Sequence, residues 1–246
     1  YQPAAAAAAA LHHHDPASLT PAEGRPRQAS TAAGIVLKKK ITMANYKLIY
    51  FNAYGRAEIT RWCFAYGGIS YEDERIGKEE WASKKPGIPG GKVPVLMVGE
   101  KVLPESLAIA RFAAKKAGLV PQDDLHAAAC DALVDALSDA GVQVRRKIRF
   151  SGKSVEEQHK MFKEDVGPNV ITPLLTQLEQ RLSSREWLVS DKVTWADLYI
   201  SQQFGYMRIH FPFILDGFSR VEAHVDKVQA LEPIKNWIAK RPNTEL

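Results

Sequence analysis

The strand-forming runs of this chain stop halfway along it. "YKLIYF" (46–51), "ISYEDERI" (69–76) and "KVPVLMVGEKVLPES" (92–106) are rich in β-favouring residues and alternate loosely. Beyond Gly118-Leu119-Val120-Pro121 no such run occurs, and apolar residues recur at helical spacing instead. A chain that switches period in this way builds a small α/β unit first and an all-α unit after it, since the strands must pair among themselves.

In the first unit, Gly55 ends the first strand and "RAEITRWCFAYGG" takes up helical spacing, closing on Gly67-Gly68. "EEWASKKPGIPGG" is a Gly/Pro-punctuated loop with one helical turn. The third run divides at Gly99-Glu100 into a hairpin, and "SLAIARFAAKKAG" reads as a helix from Ser106 to Gly118. The expected order is β-α-β, loop, β-β-α. Later helices are expected over 123–149, 154–183, 194–209, 219–229 and 231–241. In "VTWADLY", Thr194 and Asp197 form a variant capping box that starts a core helix. Trp187, Trp195 and Trp237 are expected in the core.

Residues 1–42 have a different character: seven alanines (Ala4–Ala10), then His12–His14, then a Pro/Ala/Ser/Thr/Gly-rich stretch. Lacking amphipathic periodicity, they read as a disordered leader, upstream or non-native, with Met43 as the natural start. They carry five Lys/Arg and two acids, so only +2 of the formal +5 charge falls on 43–246. The basic balance therefore does not indicate nucleic-acid binding. No apolar run approaches the ~20 residues that span a bilayer. Cys63 and Cys130 stand far apart in apolar helical contexts and read as buried thiols in a reducing, cytoplasmic setting. No metal site is expected.

Several positions admit both a structural and a chemical reading. Val93-Pro94 opens a strand; it is either a turn proline or a bend that offers the Val93 backbone to an extended ligand. Ser106 is an N-cap, or part of a carboxylate seat at a helix N-terminus with Glu105 beside it to take an ammonium. Together that pair suits an α-amino-acid ligand. Trp81, Lys85 and Lys92 in the loop are packing and solvated surface, or the wall for a second carboxylate. Tyr50, Asn52, Tyr54 and Arg56 follow the first strand, and a phenol there can face a cleft; spacing does not choose among Tyr46, Tyr50 and Tyr54. Asp131, Asp135 and Asp139 line one helix face, either solvated or bordering a groove or subunit interface.

Taken in order, "YKLIYFNAYGRAEITRW", "GKVPVL", "PESLAIARF", "REWLVSDKVTWADLY" and "KNWIAKRPNTEL" resemble a cytosolic glutathione transferase of the sigma class, the group of haematopoietic prostaglandin D synthase, invertebrate glutathione transferases and S-crystallins. The resemblance covers essentially 45–246. It implies a thioredoxin-like glutathione-binding domain over 45–120, an all-helical domain with an electrophile pocket over 123–246, and a homodimer. Glutathione is the implied cosubstrate and no metal is implied. By the same resemblance Tyr50 is the catalytic tyrosine and Arg56 lies near the thiol. Trp81, Lys85 and Lys92 hold the glycyl end, Val93 before Pro94 pairs with the cysteinyl backbone, and Glu105 and Ser106 grip the γ-glutamyl end. Asp139 reaches the neighbouring subunit's glutathione. The electrophile would sit among Ala53, Tyr54, Gly55, Gly141, Arg146 and Tyr199.

Two departures qualify the resemblance. Glu105 stands where the sigma pattern usually has Gln. Asp139–Phe150 contains no tryptophan where the vertebrate prostaglandin synthase places one, which argues against prostaglandin isomerisation as the main activity. A non-catalytic S-crystallin-like protein is the rival from another class, and the retained Tyr50 speaks against it.

Overall fold

The computed structural model describes residues 46–244; the leader expected over 1–42 lies outside them. The elements are β1 (Tyr46–Phe51), α1 (Glu58–Tyr66), β2 (Glu72–Ile76), α2 (Trp81–Lys84), β3 (Val95–Val98), β4 (Lys101–Pro104) and α3 (Ser106–Lys116). They are followed by α4 (Asp124–Val144), α5 (Val155–Met161), α6 (Thr172–Arg181), α7 (Trp195–His210), α8 (Ser219–Ala230) and α9 (Glu232–Lys240). The sheet order is β2-β1-β3-β4. β1 runs parallel to β2 and antiparallel to β3, and β3 and β4 form the expected hairpin.

The loose alternation of "YKLIYF" has a packing cause. Leu48 and Tyr50 point into the main core, whereas Ile49 joins Ile76, Ile88 and Val95 in a smaller cluster on the other face of the sheet. A strand covered on both faces has no need of polar residues at every second position. β2 begins at Glu72 instead of Ile69, because the Ile69 N–H is spent on the Phe64 carbonyl, closing α1.

The two long helices expected after residue 123 are both modified. α4 passes into a π-helical turn, Arg145–Arg149. The segment expected as one helix over 154–183 is α5, a π-helical stretch Phe162–Ile171, and α6. Pro168 lies inside that stretch, and it can neither donate a backbone bond nor tolerate a regular turn before it.

Trp187 and Trp195 are core residues, while Trp237 is only half-buried. Asp197 accepts from the backbone N–H and the hydroxyl of Thr194, each at 2.7 Å, and from the Leu188 N–H at 2.9 Å, so the start of α7 is locked to the preceding loop. A second polar knot surrounds Glu58, which with Arg61 is fully buried. Glu58 Oε1 accepts from the indoles of Trp62 (3.1 Å) and Trp237 (2.9 Å) and from Arg241 (2.7 Å). Arg61 pairs with Glu58 and Asp73 and donates to the Ala53 carbonyl. The segment joining β1 to α1 is thereby fixed to β2 and to the end of α9.

Candidate active site

A cavity of about 330 Å³ opens where the end of β1, the start of α3, the second half of α4 and one face of α7 meet. Tyr50 is the last buried residue of β1, and its side chain forms part of the wall. Its hydroxyl accepts the backbone N–H of Arg56 at 3.2 Å. That approach requires Gly55. The residue has φ +41°, and a Cβ there would stand 2.5 Å from the Tyr50 hydroxyl.

Ser106 also lines the cavity, but not as the N-cap of its helix. Glu105 takes that position with φ 70° and ψ 115°, the one non-glycine residue with positive φ among those described. No side chain caps α3 there. A left-handed backbone at an L-residue costs about 1–3 kcal/mol and concentrates at functional sites. It places Glu105 at the uncapped N-terminus of α3, an acidic residue next to an anion seat.

The other expected residues divide. Gly55, Arg56, Gly141 and Tyr199 line the cavity with Tyr50 and Ser106. Trp81 packs edge-on against Phe51 at 5.0 Å, with Lys85 Nζ 6.0 Å from its ring; these two, Lys92 and the cis Val93-Pro94 bond lie beyond the cavity wall. Ala53 and Tyr54 are not part of its wall. The Ala53 carbonyl accepts from Arg61, and the Tyr54 ring lies under the Arg241 guanidinium at 3.9 Å. Arg146 and Asp139 are exposed, off the face that presents Gly141 and Arg145. Asp131 and Asp135 are held by Arg111, at 3.0 and 2.6 Å.

Sequence reading overlooked the residues that dominate the far wall: Arg145, Arg149, Gln202, Gln203, Tyr206 and His210. A signal for part of it exists. Tyr199, Gln202, Gln203, Tyr206 and His210 recur at helical spacing in α7, most of whose other residues are buried apolar groups. A polar stripe on a core helix marks a cavity face.

The electrostatics of the wall are cationic. Burial, then the charge of Arg56, hold the Arg145 guanidinium below its ordinary value, yet an arginine stays charged at neutral pH. Burial and the Arg149 charge likewise lower the His210 imidazole. Arg149 lies 3.0 Å from His210 Nε2, and a guanidinium can only donate, so that nitrogen accepts and the ring is neutral with its proton on Nδ1. Burial raises the phenol of Tyr199. Neither cysteine is a nucleophile here: burial pushes the Cys130 thiol up to about 11 and Cys63 still higher.

The chemistry available is thus an oriented phenol on the cavity wall, an uncapped helix N-terminus beside an acid, and a basic, partly apolar chamber. Residues 46–115 match the family model described as glutathione S-transferase, N-terminal domain, and residues 147–241 match glutathione S-transferase, C-terminal domain. Hematopoietic prostaglandin D synthase of Gallus gallus is 40% identical over 204 residues, 83% of this chain and 100% of that protein. Glutathione S-transferase S1 of Drosophila melanogaster is 38% identical over 208 residues, 82% of this chain and 81% of that protein. Among solved structures, rat hPGDS complexed with a quinoline superposes with TM-score 0.73 at 38% identity, covering 82% of this chain and all of that one. Monomeric Na-GST-3 of the hookworm Necator americanus superposes with TM-score 0.76 at 34% identity, over 82% of this chain and all of that one.

Proposed function

Since the chain belongs to the glutathione S-transferase family and is a glutathione transferase, we propose that Tyr50 is the residue that activates the glutathione sulfur, in a sigma-class enzyme of detoxification. The observation that carries this reading is the Tyr50 hydroxyl on the cavity wall, oriented by the Arg56 N–H. A thiol of pKa about 8.5 is only a few per cent thiolate at pH 7. A phenol that donates to the sulfur favours its charged form, and lowering the pKa by about two units makes thiolate the majority species. The nucleophile is carried by the cosubstrate, so no covalent enzyme intermediate is needed.

Glutathione would lie across β3 and the start of α3. Its γ-glutamyl end would meet Glu105 and Ser106, its cysteinyl backbone Val93, and its glycyl carboxylate Trp81, Lys85 and Lys92. The strained Glu105 supports the first of these placements. The electrophile would occupy the chamber beyond Tyr50. Within this reading 45–120 is the glutathione-binding domain and 123–246 the domain that supplies the electrophile wall. The enzyme would work in the cytoplasm as a homodimer to which Asp139 contributes across the subunit boundary; one relative is described as monomeric, so light scattering on the purified protein decides the point. Conjugation of glutathione to 1-chloro-2,4-dinitrobenzene tests the role of Tyr50. Turnover undiminished in Tyr50→Phe would refute it. The relatives named hematopoietic prostaglandin D synthase support a second reading, prostaglandin H2 isomerisation, measured directly by product analysis.

A further inference from the structure

The cavity wall contains three arginines, Arg56, Arg145 and Arg149, and no aspartate or glutamate. Arg56 sits beside the Tyr50 hydroxyl, at the end of the chamber assigned to the sulfur. Arg149 faces His210. Arg145 is different: it is half-buried, and among the described residues no carboxylate lies within ion-pair distance of it. Gly141, one turn earlier on α4, lies beside it; a Cβ there would come into van der Waals contact with the guanidinium at 3.4 Å. Around these charges the wall is apolar, with Ile59, Leu107, Val144, Met207 and Phe211. A cation partly withdrawn from water without a counter-ion loses part of its hydration, and a bound anion offsets that loss.

We propose that Arg145 is a specificity residue that selects apolar electrophiles carrying a carboxylate, holding the carboxylate at the α4 end of the chamber while the reactive carbon meets the sulfur at Tyr50. The inference rests on the transferase reading above. A planar guanidinium matches a carboxylate with two parallel hydrogen bonds, which fixes orientation as well as affinity. The apolar wall receives the body of the molecule. With an α,β-unsaturated ketone, the sulfur forms one C–S bond to the β-carbon. The C=C pair shifts to the α-carbon, which takes up the proton that left the thiol. Nothing is oxidised and no group leaves.

The test compares ethacrynate with its methyl ester, which has the same reactive carbon and no charge. In Arg145→Gln the ratio of kcat/KM for ethacrynate over the ester should fall about 10- to 100-fold, the loss of one charge-assisted contact, and Arg145→Lys should recover part of it. An unchanged ratio overturns the proposal, as does an equal fall for both electrophiles. Calorimetry with decanoate and decanol reads the same site without turnover. Wild-type protein should prefer decanoate, and Arg145→Gln should lose that preference; equal binding of the two by wild-type protein also overturns the proposal. If wild-type protein turns over neither electrophile nor 1-chloro-2,4-dinitrobenzene but binds decanoate through Arg145, the transferase reading fails and the anion site stands.

Discussion

The backbone N–H of Arg56 donates to the Tyr50 hydroxyl over 3.2 Å. A hydroxyl can accept and donate at once. A main-chain group fills one acceptor position, and the O–H proton remains available to donate to a group in the cavity. No substitution at Arg56 other than proline removes that donor, so the orientation of Tyr50 depends on the shape of the turn.

Tyr50→Phe should lower turnover of 1-chloro-2,4-dinitrobenzene about 10²-fold, the scale of one preorganised donor, with KM for glutathione nearly unchanged. Tyr54→Phe should keep most of the activity, because its ring lies under Arg241 and outside the cavity wall. Steady-state kinetics of the two variants decide the assignment; the reverse pattern would overturn it.

Gly55→Ala should damage both activity and stability. Its added Cβ would lie 2.5 Å from the Tyr50 hydroxyl, on a backbone with φ +41° that an L-residue adopts at a cost of about 1–2 kcal/mol. The turn must shift, and the Arg56–Tyr50 bond shifts with it. A lower urea midpoint together with a fall in kcat is expected; a fall in neither measurement contradicts the argument.

At Glu105 strain and binding should separate. Glu105→Ala keeps the strained left-handed backbone and loses the carboxylate; Glu105→Gly keeps the backbone and loses both the strain and the carboxylate. Glutathione affinity, read by calorimetry, should fall in each. Glu105→Gly should unfold at the higher urea concentration, by about 1 kcal/mol, since glycine adopts φ 70° freely. Full glutathione affinity in both variants would remove Glu105 from the site.

What could be read from the chain beforehand follows the range of the interactions. β1, the β3–β4 hairpin, α3 and the Thr194–Asp197 start of α7 depend on neighbours within a few residues, and local patterns located them. Tyr54 could be placed near the cavity but not excluded from its wall, because what covers it is Arg241, from the opposite end of the described chain. The aspartate row looked like a surface or an interface for the same reason: its partner, Arg111, belongs to α3. On the helical wall Arg146 was expected where Arg145 and Arg149 stand. An error of one residue on a helix is a rotation of about 100°.

Glu58→Gln should be among the most destabilising single changes. The carboxylate is fully buried and takes hydrogen bonds from Trp62, Trp237 and Arg241 while pairing with Arg61. Removing one member of a buried pair leaves the other charge under-compensated and costs roughly 3 kcal/mol or more. Asp73 remains as a partner for Arg61, which argues for the lower end of that range. Urea unfolding measures the loss, and a change within about 0.5 kcal/mol would show that the knot is not a structural anchor.

His210 should make stability fall on the acid side of neutrality. Its ordinary pKa is near 6.5, and burial with the Arg149 charge lowers it in the folded protein. As pH drops below 6.5 the unfolded chain therefore takes up a proton that the folded chain resists. Stability is highest above that value and declines toward the folded pKa. Protonation would also put a second cation against Arg149 and end the bond that His210 Nε2 accepts. His210→Gln can still accept from Arg149 through its amide oxygen but cannot titrate. Urea unfolding between about pH 5 and 8 should show a shallower acid-side decline for the variant than for wild type. Identical slopes would assign the acid sensitivity to other groups.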